Sequence, residues 1–205
     1  MNPAQQLTRN ALGEIQAESL PRCDEDQLRS AHTLRIAVGN KSRVGKDTFA
    51  DRVTCLAGGS RFAFASRLYD VTRAIQAALG VPTEKDPALL QTVGTMLRTH
   101  YSPDIFVRAT MDAIDAVTTE APWSNLIVTD LRQVNEFEAL KKDGFVTVRV
   151  VRADRVIDRD PNHSTETELD NTPFDYVITN DGTMDEYIEN IDAVVAHILL
   201  VRYAA

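Results

Sequence analysis

The sequence predicts an α/β fold of three layers, with a five-stranded parallel sheet flanked by helices. Two observations indicate this fold. Five short apolar segments alternate with longer segments in which apolar residues recur every three or four positions. Polar or charged residues follow directly after each short segment. Strands that alternate with helices form a parallel sheet covered on both faces, and 205 residues suffice for one such domain but are few for two.

The predicted elements are bounded by turn residues and helix caps. Strands are predicted over residues 36–38, 62–65, 126–128, 145–151 and 176–179. Helices are predicted over residues 49–57, 66–79, 87–98, 105–117, 133–143 and 183–201. Asp86 and Pro87 are typical of a helix start, whereas Gly80 and Gly144 are typical of helix ends.

Residues 1–32 precede the first strand and are predicted to be an N-terminal extension, so the domain that contains the sheet covers residues 33–205. Asn2 and Pro3 are suited to cap a helix that carries Leu7 and Ala11 on one face. A helical arm that packs on a second subunit, as in a homodimer, and a flexible tail both fit this segment.

The composition limits the partners and the location of the protein. Lysine and arginine number 22 and aspartate and glutamate 30, which gives a formal charge of −8. This acidity argues against stable nucleic-acid binding and against a broad contact with anionic membranes. No stretch is long and apolar enough to span a bilayer, and the first residues do not resemble a signal peptide. We therefore expect a cytoplasmic protein.

Two cysteines, Cys23 and Cys55, are too few for a disulfide framework or a metal cluster. Cys55 falls in the first predicted helix. Free cysteine behaves as a small apolar residue, so Cys55 is expected to be buried there.

A polar loop between the first strand and the first helix carries the strongest motif. Gly45, Lys46, Asp47 and Thr48 match the end of the phosphate-binding pattern G-x-x-x-x-G-K-[ST], except that Asp47 replaces the hydroxyl residue. Asn40 stands where the pattern has its first glycine. Loop N–H groups and a helix N-terminus converge on one anion in such a loop, and Lys46 adds positive charge. An ordinary turn with a surface lysine is the alternative, but the strand–loop–helix context favours phosphate binding.

Charged and polar residues follow the other strands, and in a parallel sheet these positions meet at one edge. They are Arg67 after the second strand, Asp130 and Arg132 after the third, Arg152 after the fourth, and Asn180, Asp181 and Gly182 after the fifth. Asp130 is predicted to hold Mg²⁺ through water or to orient an acceptor, or else to cap the next helix. Arg132 is predicted to clamp an acceptor phosphate with its planar guanidinium group.

Residues 152–172 are predicted to form a basic lid over that edge. Arg152, Arg155 and Arg159 are spaced so that they share one face of a helix. Phosphoryl transfer needs positive charge and the exclusion of water, although a solvated salt-bridged helix fits the same segment. His163 and Glu166 are predicted to organise the lid, and no cysteine or second histidine is spaced to bind zinc with His163.

Five short sequences resemble the bacteriophage deoxynucleoside monophosphate kinases, a branch of the P-loop nucleoside monophosphate kinase superfamily. They are Gly45-Lys46-Asp47-Thr48, Gln91-Thr92-Val93-Gly94-Thr95, Asp130-Leu131-Arg132-Gln133, His163-Ser164-Thr165-Glu166 and Val177-Ile178-Thr179-Asn180-Asp181-Gly182. The resemblance covers about residues 34 to 200. It implies a P-loop kinase fold, ATP and Mg²⁺ as cofactors, and a deoxynucleoside monophosphate as the small-molecule acceptor of the γ-phosphoryl group. A phage-encoded protein of this kind would act in the host cytoplasm.

The resemblance also implies roles for individual residues. The catalytic set is Lys46, Asp130, Arg132 and Arg152. The ATP-binding set is Gly45, Lys46, Asp47, Thr48, Asn180, Asp181 and Gly182. The acceptor set is Arg67, Arg98, Asp104 and Arg132. Lys46 is expected to hold the β- and γ-phosphates, Asp47 to serve the metal directly or through water, and residues 180–182 to border the adenine.

Two departures from the family leave some properties open. Asn40 in place of the first loop glycine predicts a bulge in the loop. Arg67 and Tyr69 stand where related kinases often have a proline and a lysine, and this departure concerns the identity of the acceptor rather than phosphoryl transfer itself.

Two other functions fit part of the same pattern. The animal-type phosphomevalonate kinases share this frame, and residues 130–132 and 166–171 resemble them too, but Gly94-Thr95 and residues 179–182 favour a nucleotide kinase. A noncatalytic nucleotide-binding regulator is the second alternative. Lys46, Asp130 and the basic lid argue against it.

Overall fold

Five parallel strands form one sheet in the computed structural model, which describes residues 33–154 and 164–203. The strands are β1 (Arg35–Gly39), β2 (Ser60–Phe62), β3 (Leu126–Leu131), β4 (Val146–Val151) and β5 (Tyr176–Thr179). They lie in the order β2-β3-β1-β4-β5, and every neighbouring pair is parallel. The predicted α/β fold with a five-stranded parallel sheet is confirmed.

Seven helices connect or follow these strands within the described residues. They are α1 (Lys46–Ala57), α2 (Ser66–Ala78), α3 (Pro87–His100), α4 (Ile105–Glu120), α5 (Val134–Lys142), α6 (Ser164–Thr167) and α7 (Met184–Tyr203). At the start of α3 the Asp86 carboxylate accepts hydrogen bonds from the N–H groups of Ala88 at 2.9 Å and Leu89 at 3.0 Å, as its capping role predicts. The helices in this part of the chain are all too short or too polar to cross a membrane.

Helices cover both faces of the sheet and so give the fold its three layers. Successive residues of a strand point to opposite faces. On one face, Ile36 and Val38 of β1 join a buried cluster with side chains of α1 and α7, including Phe49. On the other face, Ala37 joins a cluster with side chains of α4 and α5, including Ile114. The strands are apolar because both of their faces are buried, as in other parallel sheets.

A third and smaller cluster joins the helices that connect β2 to β3. Its buried members are Leu68 of α2, Val93 of α3 and Phe106 of α4. These three helices therefore pack on one another around only a few buried side chains, beside the main sheet.

β2 covers Ser60–Phe62, which is earlier than the predicted 62–65. The strand ends at Phe62 because backbone N–H groups beyond it bond to a side chain. The N–H groups of Phe64 and Ala65 donate to the Asp130 carboxylate and not to a neighbouring strand. An apolar sequence alone does not reveal this side-chain acceptor.

β3 continues three residues beyond the predicted end at residue 128, to Leu131. Leu131 pairs with Gly39 at the end of β1, and its carbonyl oxygen accepts the Asn40 N–H at 3.2 Å. Asp130 consequently lies inside the strand, whereas the sequence predicts it just after the strand.

Cys55 is exposed, so the prediction of a buried cysteine is wrong. α1 buries the face that carries Phe49 and Val53. Cys55 lies on another face, in line with the exposed Asp47 and Asp51 at four-residue spacing. Its place in the helix, rather than its residue type, determines its exposure.

Candidate active site

A cavity of about 950 Å³ lies where the carboxyl ends of the strands meet. Each strand is followed by a residue in its lining: Lys46 after β1, Ala65 after β2, Arg132 after β3, Arg152 after β4 and Asn180 after β5. α2, α3 and α4 supply another part of the lining, with Leu68, Gln91 and Phe106 among their residues. Ligands of parallel α/β sheets bind at this edge.

The structure brings ten of the predicted site residues together on this cavity. They are Gly45, Lys46, Asp47, Thr48, Arg98, Asp130, Arg132, Arg152, Asn180 and Gly182. They come from five separate parts of the sequence. For all of them except Arg98, which lies on α3, this follows from the topology, because the ends of parallel strands lie at one edge of the sheet.

Positive charge is concentrated in the cavity. Its lining includes six lysine or arginine side chains and three carboxylates, although the whole chain carries a formal charge of −8. The six basic residues are Arg43, Lys46, Lys85, Arg98, Arg132 and Arg152. A cleft lined by one sign of charge raises the local concentration of ligands of opposite charge, so the cavity favours a polyanion.

Gly45 shapes the loop between β1 and α1, and a larger residue does not fit there. Its φ is 103°, and a Cβ at this position would lie 2.5 Å from Asn180 Nδ2. The Asn180 amide donates to the Val44 carbonyl at 2.9 Å, and the Tyr187 hydroxyl donates to the Gly45 carbonyl at 2.9 Å. The segment after β5 and helix α7 therefore hold this loop at the N-terminus of α1.

Asn40 occupies the first glycine position of the phosphate-binding pattern with a φ of 103°. Asparagine adopts positive φ more readily than most residues. Its side-chain amide donates to the Val150 carbonyl at 3.0 Å, and its backbone N–H donates to the Leu131 carbonyl. The pairing of β1 with β3 is irregular between Ala37 and Gly39, next to the position where the sequence predicts a bulge. Asn40 thus joins the start of the loop to β3 and β4.

Lys46 is buried, with 8% of the residue exposed, and its ammonium group donates to the Lys41 carbonyl in the same loop. Burial lowers the pKa of Lys46 to about 7, and the positive charge of Arg132 acts in the same direction. An anion bound in the loop would favour the charged form again, because an opposite charge nearby stabilises an ammonium group.

Asp130 connects β3 to the start of α2. Its carboxylate accepts hydrogen bonds from the N–H groups of Phe64 at 2.8 Å and Ala65 at 2.9 Å. Desolvation raises the pKa of Asp130, and these two hydrogen bonds oppose the rise. The alternative that Asp130 caps the following helix is wrong, because the N-cap of α5 is Gln133.

Arg132 follows β3 and donates from its guanidinium group to Glu166 Oε1 at 2.8 Å. Glu166 lies on α6, and its side chain has no exposed surface. The N–H of Ser42, in the loop after β1, donates to Glu166 Oε2 at 3.1 Å. One buried carboxylate therefore joins the loop, the residue after β3 and α6.

Glu136 is a buried carboxylate in the cavity lining that has no role in the sequence prediction. Its Oε2 atom accepts hydrogen bonds from the N–H groups of Arg132 at 2.9 Å and Gln133 at 3.0 Å. Burial and, to a smaller extent, the nearby charge of Asp130 raise the pKa of Glu136 to about 8. The position three residues after a helix cap is a recognisable sequence pattern for such a carboxylate.

Arg98 extends from α3 into the cavity, and its Cζ atom lies 4.8 Å from the centre of the Phe106 ring. Burial lowers the pKa of Arg98. Gly94 leaves room for this side chain, because a Cβ there would lie 3.3 Å from Arg98 Nη1. Within residues 33–154 and 164–203 no hydrogen bond or ion pair engages the guanidinium group.

Gln91 and Thr95 also line the cavity without a predicted role. Together with Arg98 they occupy positions i, i+4 and i+7 of α3, which lie on one face of a helix. This spacing is visible in the sequence. It becomes informative once Arg98 is assigned to the cavity.

Arg67 lies outside the cavity lining, contrary to its predicted place near the acceptor. It is exposed and pairs with Asp70 at 3.5 Å. α2 turns the next two residues, Leu68 and Tyr69, towards the cavity. Successive side chains of a helix point about 100° apart around its axis. Knowing where β2 ends therefore does not determine which side chain of α2 faces the cavity.

Asp104 and Asp181 are also outside the lining. Asp104 accepts a hydrogen bond from Asn135 Nδ2 at 2.8 Å, and Asp181 accepts the Ala153 N–H at 2.7 Å. Asp104 thus joins the start of α4 to α5, and Asp181 joins the segments that follow β5 and β4. The predicted extension at residues 1–32 and the predicted lid residues Arg155, Arg159 and His163 fall outside the described residues.

Comparison with known proteins identifies one family. The family model "Deoxynucleotide monophosphate kinase" matches residues 87–191. A deoxynucleotide monophosphate kinase of Escherichia phage RB69 is 37% identical over 68 residues, which are 33% of this chain and 27% of that protein. The match thus spans only about a quarter of the length of this relative.

A solved structure supports the fold. Dephospho-CoA kinase from Campylobacter jejuni superposes with a TM-score of 0.50 at 10% sequence identity, and the superposition covers 80% of this chain and 96% of that chain.

The family match covers just over half of the chain, from α3 into α7. It includes Arg98, Asp130, Arg132, Glu136 and the segment after β5. The loop that matches the phosphate-binding pattern lies before it and adds an independent observation. The chain belongs to the deoxynucleotide monophosphate kinase family.

Proposed function

We propose that this protein transfers the γ-phosphoryl group of ATP to deoxynucleoside monophosphates and so forms deoxynucleoside diphosphates. The observation that carries the proposal is a single basic cavity, bounded by the phosphate-binding loop and Lys46 and also by Arg98 and Arg132. A kinase of this type has to hold two phosphate-bearing substrates together. We assign this activity to the domain at residues 33–205, with a lid at about 152–172.

The loop after β1 is the proposed site for the phosphates of ATP. Its N–H groups and the N-terminus of α1 supply donors, and Lys46 supplies charge between the β- and γ-phosphates. Thr48 lies in the first turn of α1 and also lines the cavity. Asn180 and Gly182 line the neighbouring part of the cavity, where we place the adenosine.

Asp47 fits a role in binding Mg²⁺. Its side chain is 92% exposed, lines the cavity and adjoins Lys46. Among the described residues, no group of three or more His, Cys, Asp or Glu side chains is arranged to hold a metal ion. Mg²⁺ usually keeps several water ligands and binds substrate phosphates as well as one or two carboxylates, so a single carboxylate is consistent with a Mg²⁺ site. When bound, Mg²⁺ would neutralise charge on the β- and γ-phosphates.

The part of the cavity bounded by α2, α3 and α4 is the proposed acceptor site. Arg98 and Arg132 are placed to bind the acceptor phosphate, and the apolar side chains of Leu68 and Phe106 offer surface for the base. Arg67 and Asp104 are not part of this site, because they lie outside the lining.

The proposed reaction is a direct in-line displacement. A phosphate oxygen of the acceptor attacks the γ-phosphorus of ATP, the bond from that phosphorus to the β–γ bridging oxygen breaks, and ADP leaves. No covalent intermediate with the protein is needed. Lys46, Arg132 and Arg152 neutralise the charge on the transferred group, while the cavity aligns the two substrates.

The test is ADP release from Mg-ATP, measured with each deoxynucleoside monophosphate, each ribonucleotide counterpart and phosphomevalonate separately. Turnover with one or more deoxynucleotides supports the proposal and gives the base preference. Turnover with phosphomevalonate alone would mean that phosphomevalonate, and not a deoxynucleotide, is the acceptor. ATP binding without turnover on any acceptor would contradict the proposal and favour a nucleotide-binding regulator.

A further inference from the structure

Glu166 is more deeply buried, and contacts more of the proposed active site, than expected for a residue that only organises a lid. It lies on α6, immediately after the segment that the structure does not describe. Its side chain is nevertheless fully buried and ionically paired with Arg132. A buried carboxylate is costly unless charged or hydrogen-bonding partners compensate it, so its partners indicate why it is there.

Two of those partners belong to different parts of the proposed site. Arg132 Nη1 donates to Glu166 Oε1 at 2.8 Å, and the Ser42 N–H donates to Oε2 at 3.1 Å and to Oε1 at 3.3 Å. Ser42 is in the phosphate-binding loop, whereas Arg132 belongs to the acceptor side. The carboxylate therefore fixes the position of the loop relative to the guanidinium group.

Arg132 is fixed at both ends. Its backbone N–H donates to Glu136 Oε2 at 2.9 Å, and its side chain donates to Glu166. A guanidinium group has five N–H donors, so the bond to Glu166 leaves others for the cavity, which Arg132 lines. An arginine that is held in place before its ligand arrives loses less conformational entropy on binding.

We propose that Glu166 is a positioning residue that orients Arg132 against the phosphate-binding loop and thereby couples the ATP side of the cavity to the acceptor side. The orienting role rests on these contacts. Its effect on turnover rests in addition on the function proposed above for Arg132.

The first test measures the order of the Arg132 side chain without any turnover. NMR relaxation of the Arg132 Nε–Hε group in the full-length protein should report a rigid guanidinium group. In Glu166→Gln it should report a clearly lower order parameter, because glutamine has no negative charge to pair with the guanidinium group and one of its two terminal atoms is a donor. Glu168→Gln is the matched control, since Glu168 is in the same segment and its hydrogen bond within the described residues is an exposed one, accepted from the Val134 N–H at 3.1 Å. Equal order of Arg132 in the wild type and in Glu166→Gln would overturn the proposal.

The second test is a double-mutant cycle on kcat. Glu166→Gln should lower kcat by about 10- to 100-fold, because Arg132 is no longer held in position. The KM for ATP should change by less than about threefold, because the positive charges around the proposed ATP site remain. In an Arg132→Ala background the same change should cost less than about twofold, since Glu166 acts through Arg132. An equal loss in both backgrounds would contradict the proposal.

Glu166→Asp separates positioning from folding. It keeps the negative charge on a shorter side chain, so its kcat should lie between those of the wild type and Glu166→Gln. A lowered Tm with an unchanged kcat for the folded fraction would show a purely structural role and overturn the proposal. If the wild type turns over no acceptor at all, the function proposed above fails, and the NMR result alone decides the role of Glu166.

Discussion

The proposed phosphate-binding loop, between β1 and α1, and the wall formed by α2, α3 and α4 face the same cavity but are held in different ways. The carbonyl groups of Val44 and Gly45 in the loop accept hydrogen bonds from Asn180 and Tyr187, which belong to the far end of the chain. The loop also adjoins the large cluster that includes Phe49, on one face of the sheet. Long-range hydrogen bonds and the buried residues Ser42 and Val44 therefore restrain the loop.

The cluster that joins α2, α3 and α4 has only three buried side chains among the described residues, although α4 also packs on the sheet through Ile114. Large apolar side chains on the surface of this wall, such as Leu79 and Met96, are 72% and 54% exposed. Arg98 is positioned by the Phe106 ring and by the space at Gly94. Segments with few buried contacts open at lower free energy than the core. On the function proposed above, we expect a preformed site for ATP and an adaptable site for the acceptor.

The largest expected effect is loss of turnover in Lys46→Ala. We expect kcat with a deoxynucleoside monophosphate to fall on the order of 10³-fold, because a preorganised positive charge at the transferred group is lost. The Tm should not fall, since the change removes a buried ammonium group whose pKa is already lowered by burial. Lys41→Ala is the matched control, because the Lys41 side chain pairs with Asp170 at 3.1 Å and lies outside the lining of the main cavity. Near-normal kcat in Lys46→Ala would contradict the role of the loop.

Gly45→Ala should show how rigid the loop is. The residue has a φ of 103°, and the new Cβ would lie 2.5 Å from Asn180 Nδ2. We expect a loss of roughly 2–4 kcal/mol in the free energy of unfolding, together with weaker ATP binding, since neither strain nor overlap is easily relieved. Urea unfolding and calorimetric ATP titration measure both. A loss below about 0.5 kcal/mol, within the range of ordinary surface substitutions, would indicate a loop that adjusts freely.

Gly94→Ala is the corresponding change in the wall. Its Cβ would lie 3.1 Å from Leu68 Cδ2 and 3.3 Å from Arg98 Nη1, both ends of flexible side chains. We expect the free energy of unfolding to change by less than about 1 kcal/mol, because the better helix propensity of alanine offsets the crowding. The KM of the acceptor should rise roughly tenfold as Arg98 is displaced, while the KM of ATP stays within twofold. Parallel changes of both KM values would argue against separate donor and acceptor sides.

An effect of a different kind, on stability and not on turnover, is expected for Glu136→Gln and depends on pH. The pKa of Glu136 is raised to about 8 in the folded protein from an ordinary value of 4.5. The unfolded chain therefore loses this proton at lower pH than the folded protein does, and wild-type stability falls as the pH rises from 4.5 through 8. A glutamine side chain does not titrate in this range. The Tm difference between Glu136→Gln and the wild type should therefore be roughly 5–10 °C larger at pH 8.5 than at pH 4.5. Thermal scans at several pH values measure this difference, and a constant difference would contradict the raised pKa.

The order of strands and helices was accessible from the sequence because each apolar segment has a clear period or a clear cap. The bounds of β2 and β3 were not accessible from the sequence. They depend on which N–H groups donate to the Asp130 carboxylate and the Leu131 carbonyl. Such partners are 60 or more residues apart in the chain. Local patterns contain no information about them.

The parts of the site that follow strands were predictable, because topology alone brings Lys46, Arg132 and Asn180 to one edge of the sheet. Residues on helices were less so. Arg67 was placed in the cavity, whereas the rotation of α2 presents Leu68 instead. Glu136 was missed because its burial depends on the packing of α5.

The most direct test of the central claim, that one cavity aligns both substrates, is to follow the γ-phosphoryl group itself. The protein is incubated with γ-labelled ATP and a deoxynucleoside monophosphate that supports ADP release, and the products are separated. The account predicts that the label appears as the β-phosphate of the deoxynucleoside diphosphate, in an amount equal to the ADP formed, and that Arg132→Ala reduces both together. Label found only in inorganic phosphate would mean that water, and not a second nucleotide, is the acceptor in this cavity.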